Sequence, residues 1–324
     1  MIWNQWYGVL ESKEVKKGKP VGVTRIGEKL VFWRDTKGNL CCIQDKCCHR
    51  GASIAIGELC GDYVACPFHF FQYDKTGRVK VIPAIGKNSP VPQQYKVKGY
   101  SVQESYGIIW LWYGDDLDKL PPVKFFDELD DSFFYTTFAD AWPVHYSRSI
   151  ENQLDVVHVP FVHRTTIGRG WKTLVNGPVV KFDGELLHFY VKNVEDDGKT
   201  KPEKADQIKD YDKLFQLQFR FPNVWQNLIS DKVRVAAIFA PVDEENSVVY
   251  VRFYQKFLNI PILRNFVNFF ANIFNIIVLR QDKRVVITQL PRKTSFVMDE
   301  KLIAGDLPII EYRKIRDKLI KQKK

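Results

Sequence analysis

Two short runs decide how this chain is read: Cys47-Cys48-His49-Arg50-Gly51 and Cys66-Pro67-Phe68-His69, with sixteen residues between His49 and Cys66. Each run supplies one cysteine and one histidine, spaced C-x-H in the first and C-x-x-H in the second. Two thiolates and two imidazoles in paired loops can hold zinc, or a two-iron, two-sulfur cluster in which two histidines replace two cysteines on one iron. Zinc sites favour pairs of like ligands. Mixed pairs suit a cluster with two unlike irons, and the C-x-H-R-G form of the first run makes that match specific.

Working outward, all six cysteines (Cys41, Cys42, Cys47, Cys48, Cys60 and Cys66) fall within this stretch. A disulfide framework would spread its bridges over a small secreted domain, whereas clustered cysteines point to metal. Cys41, Cys42 and Cys60 read as small core or surface residues, and Cys48, beside a ligand, as an oxidation site. Met1–Trp6 has neither a basic n-region nor an apolar h-region, so a cytoplasmic chain is expected.

The 324 residues are 45% apolar and 27% charged, with 19 Gly and 16 Pro, an ordinary globular composition. At roughly 150 residues per domain the length suggests two domains. The acidic segment Gly114–Pro122, closing on Pro121-Pro122, marks a boundary, giving domains of 1–116 and 117–324. The excess of 48 Lys+Arg over 38 Asp+Glu gives a net charge of +10. The excess is spread along the chain without a base-reading motif, so nucleic acid is not an expected partner. No apolar run reaches the roughly 20 residues of a membrane span, so no integral membrane segment is expected.

Short strands with Gly-rich turns fill the first third: Val21–Ile26, Lys29–Arg34, Leu40–Ile43 and Gly107–Tyr113. In the second part, strands are expected at Phe133–Phe138, Leu174–Val180, Leu186–Val194, Leu214–Phe221, Val233–Ala240 and Val248–Phe257. A helix is expected from about His145 to His158, stopped by Pro160. Ile260–Leu279 looks helical and apolar and could be read as a membrane-surface helix, but a core helix under a sheet is the expected reading; the residues from Ile309 read as a basic, solvated amphipathic helix.

A second constellation lies in Glu151-Asn152-Gln153-Leu154-Asp155-Val156-Val157-His158-Val159-Pro160-Phe161-Val162-His163. Asp155 and His158 are three apart, on one helical face. A kink at Pro160 would aim His158 and His163 at one point. Two imidazoles with a carboxylate make the facial triad of mononuclear non-heme Fe(II) sites.

Together these motifs resemble the Rieske non-heme iron oxygenases, of the alpha-subunit type. The N-terminal third is similar to their Rieske domain, and D-x-x-H-x-x-x-x-H is their catalytic-domain pattern. Glu151–Trp171 looks most like the pheophorbide a and chlorophyllide a oxygenase branch, with vanillate demethylases close by. The resemblance implies that Cys47 and Cys66 bind one iron of a [2Fe–2S] cluster and His49 and His69 the other. It implies His158 and His163 as ligands of a mononuclear Fe(II). Asp155 is then the bridging carboxylate between metal centres of neighbouring subunits. The third ligand becomes Asp282, in Arg280-Gln281-Asp282, with Asp299 and Asp306 as weaker candidates. Glu151 and Asn152 would lie near the iron or cap the helix; His145 and His188 are left as structural. Two departures stand out: Cys48 where Pro is common, and Phe70-Phe71 where Gly-Trp is usual.

The implied fold is α+β: an all-β Rieske domain, then a helix-grip (START-like) catalytic domain whose antiparallel sheet wraps a long C-terminal helix. The cavity lining is expected from Leu214–Trp225 and Val233–Phe239. The implied activity is oxidation of an apolar, cyclic substrate with O2, by hydroxylation or demethylation, in a homotrimer. No G-x-G-x-x-G is present; Gly168-Arg169-Gly170 lacks the third glycine. NAD(P)H would therefore act through a separate reductase, with or without a ferredoxin. The competing readings are a Rieske electron-transfer protein with a non-catalytic ligand-binding domain, and a structural zinc module.

Overall fold

A computed structural model describes residues 1–322. Lys323 and Lys324, the end of the expected basic tail, lie outside the described residues. Two compact units divide the chain. One comprises Asn4–Val123 with Pro241–Asp243; the other holds Met1–Trp3, Lys124–Ala240 and the chain from Glu244 onward.

The N-terminal unit is all β. Its strands are β1 (Gln5–Glu11), β2 (Val21–Arg25), β3 (Glu28–Arg34), β4 (Leu40–Gln44), β5 (Glu58–Cys60), β6 (Tyr63–Ala65), β7 (Gln72–Tyr73), β8 (Val79–Val81), β9 (Val102–Ser105) and β10 (Ile108–Tyr113). They pair as three small antiparallel sheets, ordered β1-β10-β9, β2-β3-β4 and β5-β6-β7-β8. Leu30–Trp33 of β3 and Ile108–Trp112 of β10 are buried on both faces, which is why they read as continuous apolar runs rather than alternating ones. Val31, Trp33, Ile43, Ile54, Val64 and Tyr73 form the core beneath the two Cys/His loops. The β7–β8 turn is built by Asp74, whose Oδ1 accepts from the Thr76 and Arg78 amides at 2.8 and 3.1 Å. Gly77 in that turn has φ +81° and lies so close to the backbone that a Cβ would sit 2.2 Å from the Val97 oxygen. Only glycine fits there.

The second unit is built on a seven-stranded antiparallel sheet. Its strands are β11 (Phe134–Trp142), β12 (Leu174–Phe182), β13 (Leu186–Val194), β14 (Phe215–Arg220), β15 (Val224–Ser230), β16 (Val233–Pro241) and β17 (Ser247–Gln255), ordered β11-β17-β16-β15-β14-β13-β12. Helices α1 (Tyr146–Leu154) and α2 (Val159–Val162) follow β11, and the long α3 (Pro261–Val286) and α4 (Leu307–Lys321) end the chain. β13 alternates as a half-buried strand must, with Leu187 and Phe189 fully buried and their neighbours less so.

Four expectations need correction. The pattern predicts no strand at Val224–Ser230, yet β15 is central, with Trp225 opposite Phe219 on one side and Ala237 on the other. Its polar residues hide the period because Gln226 is buried, its Nε2 donating to Gln218 Oε1 at 2.5 Å and to Glu128. The helix expected to His158 stops at Leu154, where Asp155 turns extended (ψ 118°), and a separate short helix carries Pro160. The long helix is not a buried core helix. It packs against β11 and β17, but its buried residues are only Asn268, Leu279, Asp282 and Val286. Nor is the basic tail merely solvated. In α4, Tyr312 is buried and stacks on Phe221 at 5.7 Å. Arg313 donates from Nε and Nη2 to both oxygens of buried Glu151, at 2.9 and 2.6 Å.

Candidate functional site

The first Cys/His run sits in the loop after β4 and the second in the loop between β6 and β7. Each loop closes on its own backbone. The Cys47 amide donates to Ala52 O and the Gly51 amide to Cys47 O, both at 2.8 Å; the Cys66 amide donates to Phe71 O and the Phe70 amide to Cys66 O, both at 2.9 Å. Gly51 takes φ +77° in the first loop. At the matching point of the second loop Phe70 takes φ +62°, a conformation that suits glycine and strains phenylalanine. Cys47 and Cys66 are buried, while His49 and His69 are exposed. The two imidazoles bring their Nδ1 atoms to 3.2 Å of one another. Two ligands about 2.1 Å from one tetrahedral ion stand about 3.4 Å apart, so this spacing fits a shared iron. The Tyr73 hydroxyl donates to Cys47 Sγ at 3.0 Å and accepts from the Cys48 amide at 3.1 Å. Phe71 stacks flat on His49 at 4.9 Å, so the Phe-Phe departure still supplies an aromatic plate against a ligand ring.

In the second unit the break after α1 assembles the other site. Asp155 Oδ1 accepts from the Val157 and His158 amides at 2.7 and 3.0 Å, capping the turn that begins α2. His158 and His163 flank this four-residue helix as its two caps. Gly168 holds the following loop closed. Its amide donates to His163 O at 2.9 Å, and a Cβ there would lie 2.1 Å from Val159 O. From α3, Asp282 reaches the same point.

His158 Nε2 and His163 Nε2 are 3.3 Å apart, and Asp282 Oδ1 lies 3.3 Å from the first and 2.8 Å from the second. Among the described residues this is the one group of three or more such side chains that could converge on a single ion. Ligands about 2.1 Å from an ion and at right angles stand about 3.0 Å apart, so the triangle has the size of one octahedral face. Asp282 Oδ1 is buried yet has no hydrogen-bond partner of good geometry. It faces the common point rather than either ring, and the donor set fits a ferrous ion. Burial alone would push His158 down, but Asp155 and Asp282 outweigh it and raise this imidazole to about 10. Asp282 is held at about 2 by the two histidines in spite of its burial.

Sequence reading missed Gln281. Its Oε1 accepts from His163 Nδ1 at 2.8 Å and from Thr166 Oγ1 at 2.8 Å, while its Nε2 donates to Thr165 Oγ1 at 3.2 Å. Tyr73 was equally silent in the sequence, whereas Phe71 stood out only as part of the departure from Gly-Trp. The other assignments separate cleanly. Glu151 lies under Arg313, not at the triangle. Asp299 pairs with Lys301, and Asp306 accepts from the Ile303 amide. His145 caps α1, facing Ser147 Oγ at 2.8 Å, and burial drives its imidazole down to about 2. His188 on β13 lies 3.1 Å from Asp183. Asp155 keeps 31% of its side-chain surface exposed and lies 3.5 Å from His158 Nδ1.

A cavity of about 580 Å³ opens onto the triangle. Val191, Leu217, Trp225, Ile229 and Val278 make its apolar wall, drawn from the expected segment Leu214–Trp225, from β13, β15 and α3. Two buried polar atoms in that wall, Trp225 Nε1 and Asn227 Oδ1, have no partner.

A Cys/His pair of loops on an all-β unit, and a two-histidine, one-carboxylate triangle at an apolar cavity on a second unit, define a class of two-domain iron proteins. Comparison with known proteins gives the family. The Rieske [2Fe–2S] domain profile matches residues 5–101, and the vanillate O-demethylase oxygenase C-terminal domain profile matches residues 142–322. The chain belongs to that family, with a Rieske domain before the oxygenase-type domain. Its relatives include chlorophyllide a oxygenase of Chlamydomonas reinhardtii, 32% identical over 52% of this chain and 25% of that protein. Methylxanthine N1-demethylase NdmA of Pseudomonas putida is 25% identical over 95% of this chain and 86% of the relative. Several matches span a quarter to under half of the relative's length. The fold is shared with the structure of NdmA (TM-score 0.76, 22% identity, covering 97% of this chain and 89% of that one). It is also shared with dicamba monooxygenase bound to dicamba (TM-score 0.80, 18% identity, covering 100% and 98%).

Proposed function

We propose that this chain is the oxygenase component of a Rieske-type system, oxidising an apolar, cyclic organic substrate with O2. The observation that carries the reading is the triangle of His158, His163 and Asp282 at the floor of an apolar cavity, in a chain that also has a Rieske domain. Cys47 and Cys66 hold one iron of the cluster and His49 and His69 the other; His158, His163 and Asp282 hold a single ferrous ion. When bound, the cluster supplies one-electron storage and the single iron supplies O2 activation with positions left open. In a monooxygenation one oxygen atom enters the substrate and the other leaves as water, at the cost of two electrons and two protons. The electrons come from NAD(P)H through a separate reductase, with or without a ferredoxin.

The residues of this chain have plain tasks in that reaction. Gln281 fixes the His163 ring so that Nε2 faces the ion. The wall residues exclude water and orient the ring of the substrate. Trp225 Nε1 offers a donor and Asn227 Oδ1 an acceptor to a polar substituent on it, which makes a polar-substituted ring the preferred substrate. Names such as aminopyrrolnitrin oxygenase and toluene-4-sulfonate monooxygenase among the relatives accord with such substrates. Asp155, half exposed beside His158, is the bridging carboxylate to a neighbouring subunit's Rieske histidine in a cyclic homotrimer. A cytoplasmic setting is part of the reading.

The test is O2 uptake with NADH, a surrogate reductase and a panel of substituted aromatic substrates. Substrate-dependent uptake that is lost in Asp282→Ala, with the cluster still reducible, supports the oxygenase. A cluster that cycles without substrate-dependent uptake supports the electron-transfer alternative instead.

A further inference from the structure

Among the described residues, α3 is the one helix long and apolar enough to cross a bilayer, but it cannot span one. Its C-terminal third is committed to the protein through Leu279, Asp282 and Val286. Its N-terminal two thirds are assembled the opposite way to an ordinary surface helix. The side facing the sheet carries Asn268, Asn272 and Asn275, each with a buried amide atom lacking a partner. The side facing outward carries Ile262, Phe266, Phe269, Phe270, Ile273 and Ile277, exposed by 40 to 81%. These residues lie within about 140° of arc and run about 22 Å along the axis. A contiguous aromatic and aliphatic face of that length marks a binding surface.

Two further observations select its occupant. Between Glu245 and Asp282 the sequence holds no acidic residue, while Lys256, Arg264 and Arg280 are basic and reach the surface. Arg264, on the sheet side of the helix, lies over the Phe134 ring at 4.0 Å, and Arg280 is exposed. The charge complements an anionic surface. The apolar face also runs into the cavity system of the iron site. Phe274, next along the helix, and Ile229, both half-exposed, line a recess shared with Trp225, Val278 and Asp282. A protein seated on this face would cover that entrance, whereas a lipid phase would leave it open to apolar solutes.

We infer that the exposed face of α3 docks on an anionic lipid bilayer, with Ile262, Phe266 and Phe270 entering the headgroup–acyl boundary. The helix lies on the surface, held to the protein by its inward side, and the cavity entrance at Phe274 and Ile229 opens toward the lipid. Docking itself is independent of the oxygenase reading, because it needs no iron chemistry; only entry of substrate from the lipid rests on that reading.

Flotation of the full-length protein with vesicles tests it. One set is phosphatidylcholine alone and the other equal parts phosphatidylcholine and phosphatidylglycerol. The expected result is binding to the anionic vesicles, weakened by salt, and reduced at least about tenfold in Phe266→Glu/Phe270→Glu. Ile262→Asp, at the free end of the helix, should weaken binding in the same direction and serves if the double variant does not fold. Circular dichroism and the cluster's visible absorbance should be unchanged in both. Failure of the wild-type protein to float with anionic vesicles overturns the inference. So does a wild-type assembly that the charged variants break into smaller species without any vesicle binding, since the face then belongs to a second copy. Loss of O2 chemistry with vesicle binding intact would leave this inference standing and remove the proposed activity.

Discussion

His163 donates from Nδ1 to Gln281, and that contact leaves Nε2 as the lone pair facing Asp282 and His158. An outer partner of this kind is worth 10–100-fold in metal affinity at comparable sites. Gln281→Leu should therefore weaken ferrous iron binding by about that factor while the cluster absorbance stays intact; anaerobic iron titration reads it, and unchanged affinity would dismiss the role. His145 gives a second residue-scale prediction. Burial puts its folded value at about 2, below the ordinary 6.5. Stability from this group is complete above about pH 6.5 and is lost as pH falls, because only the unfolded chain takes up the proton. Between about pH 6.5 and 5 the loss reaches about 2 kcal/mol. Denaturant unfolding across this range should show the slope, and His145→Asn should flatten it. At this scale the sequence was most legible. Every one of the four residues implied for the cluster lies in a paired loop, and His158 and His163 meet, because short-range spacing around a turn survives folding; Asp282 joins them from α3, where only the family resemblance pointed to it. Gln281 and Tyr73 were illegible because contacts made from other elements leave no local pattern.

Elements show where local pattern stops. Apolar, β-rich patterning located β12, β13, β16 and β17 to within a few residues, with β13 alternating and β16 and β17 buried along most of their length. It missed β15, whose Gln226 is buried by a hydrogen bond rather than by apolarity. Composition gave α3 its helical state, but its outward side could not be known: Asn268, Asn272 and Asn275 form a polar stripe that would ordinarily face water and here faces the sheet. The helix through Asp155 ends early because that carboxylate caps the next turn instead of continuing the first. The end of the chain is held by Arg313 in α4 against Glu151 in α1, with Glu300 also accepting from Arg313 and from Arg148 at 2.6 and 3.0 Å. Removing one partner leaves a buried charge. Arg313→Met is expected to destabilise the protein by about 3 kcal/mol, the lower end for a broken buried pair because Arg148 remains 3.6 Å from Glu151. Chemical denaturation checks it, and a cost below about 1 kcal/mol would show that the pair does not hold α4.

For the whole molecule the net charge of +10 said little about function until α3 showed where an uninterrupted basic and apolar stretch comes to the surface. In the proposed assembly Asp155 is the tie between neighbouring chains. In a cyclic trimer Asp155→Asn should leave both metal centres loaded and nearly abolish turnover, with single-turnover kinetics separating electron delivery from substrate binding; full activity would end the bridging role. The oxygenase reading depends on one chain holding two different iron centres. Anaerobic purification, metal analysis and low-temperature EPR test that directly. The account predicts about three irons per chain: two in a cluster that becomes EPR-active on one-electron reduction, and one ferrous ion that becomes EPR-active on binding nitric oxide. Only the nitric oxide signal should vanish in Asp282→Ala. A colourless protein containing zinc, or a cluster with no third iron in wild-type protein, would contradict it.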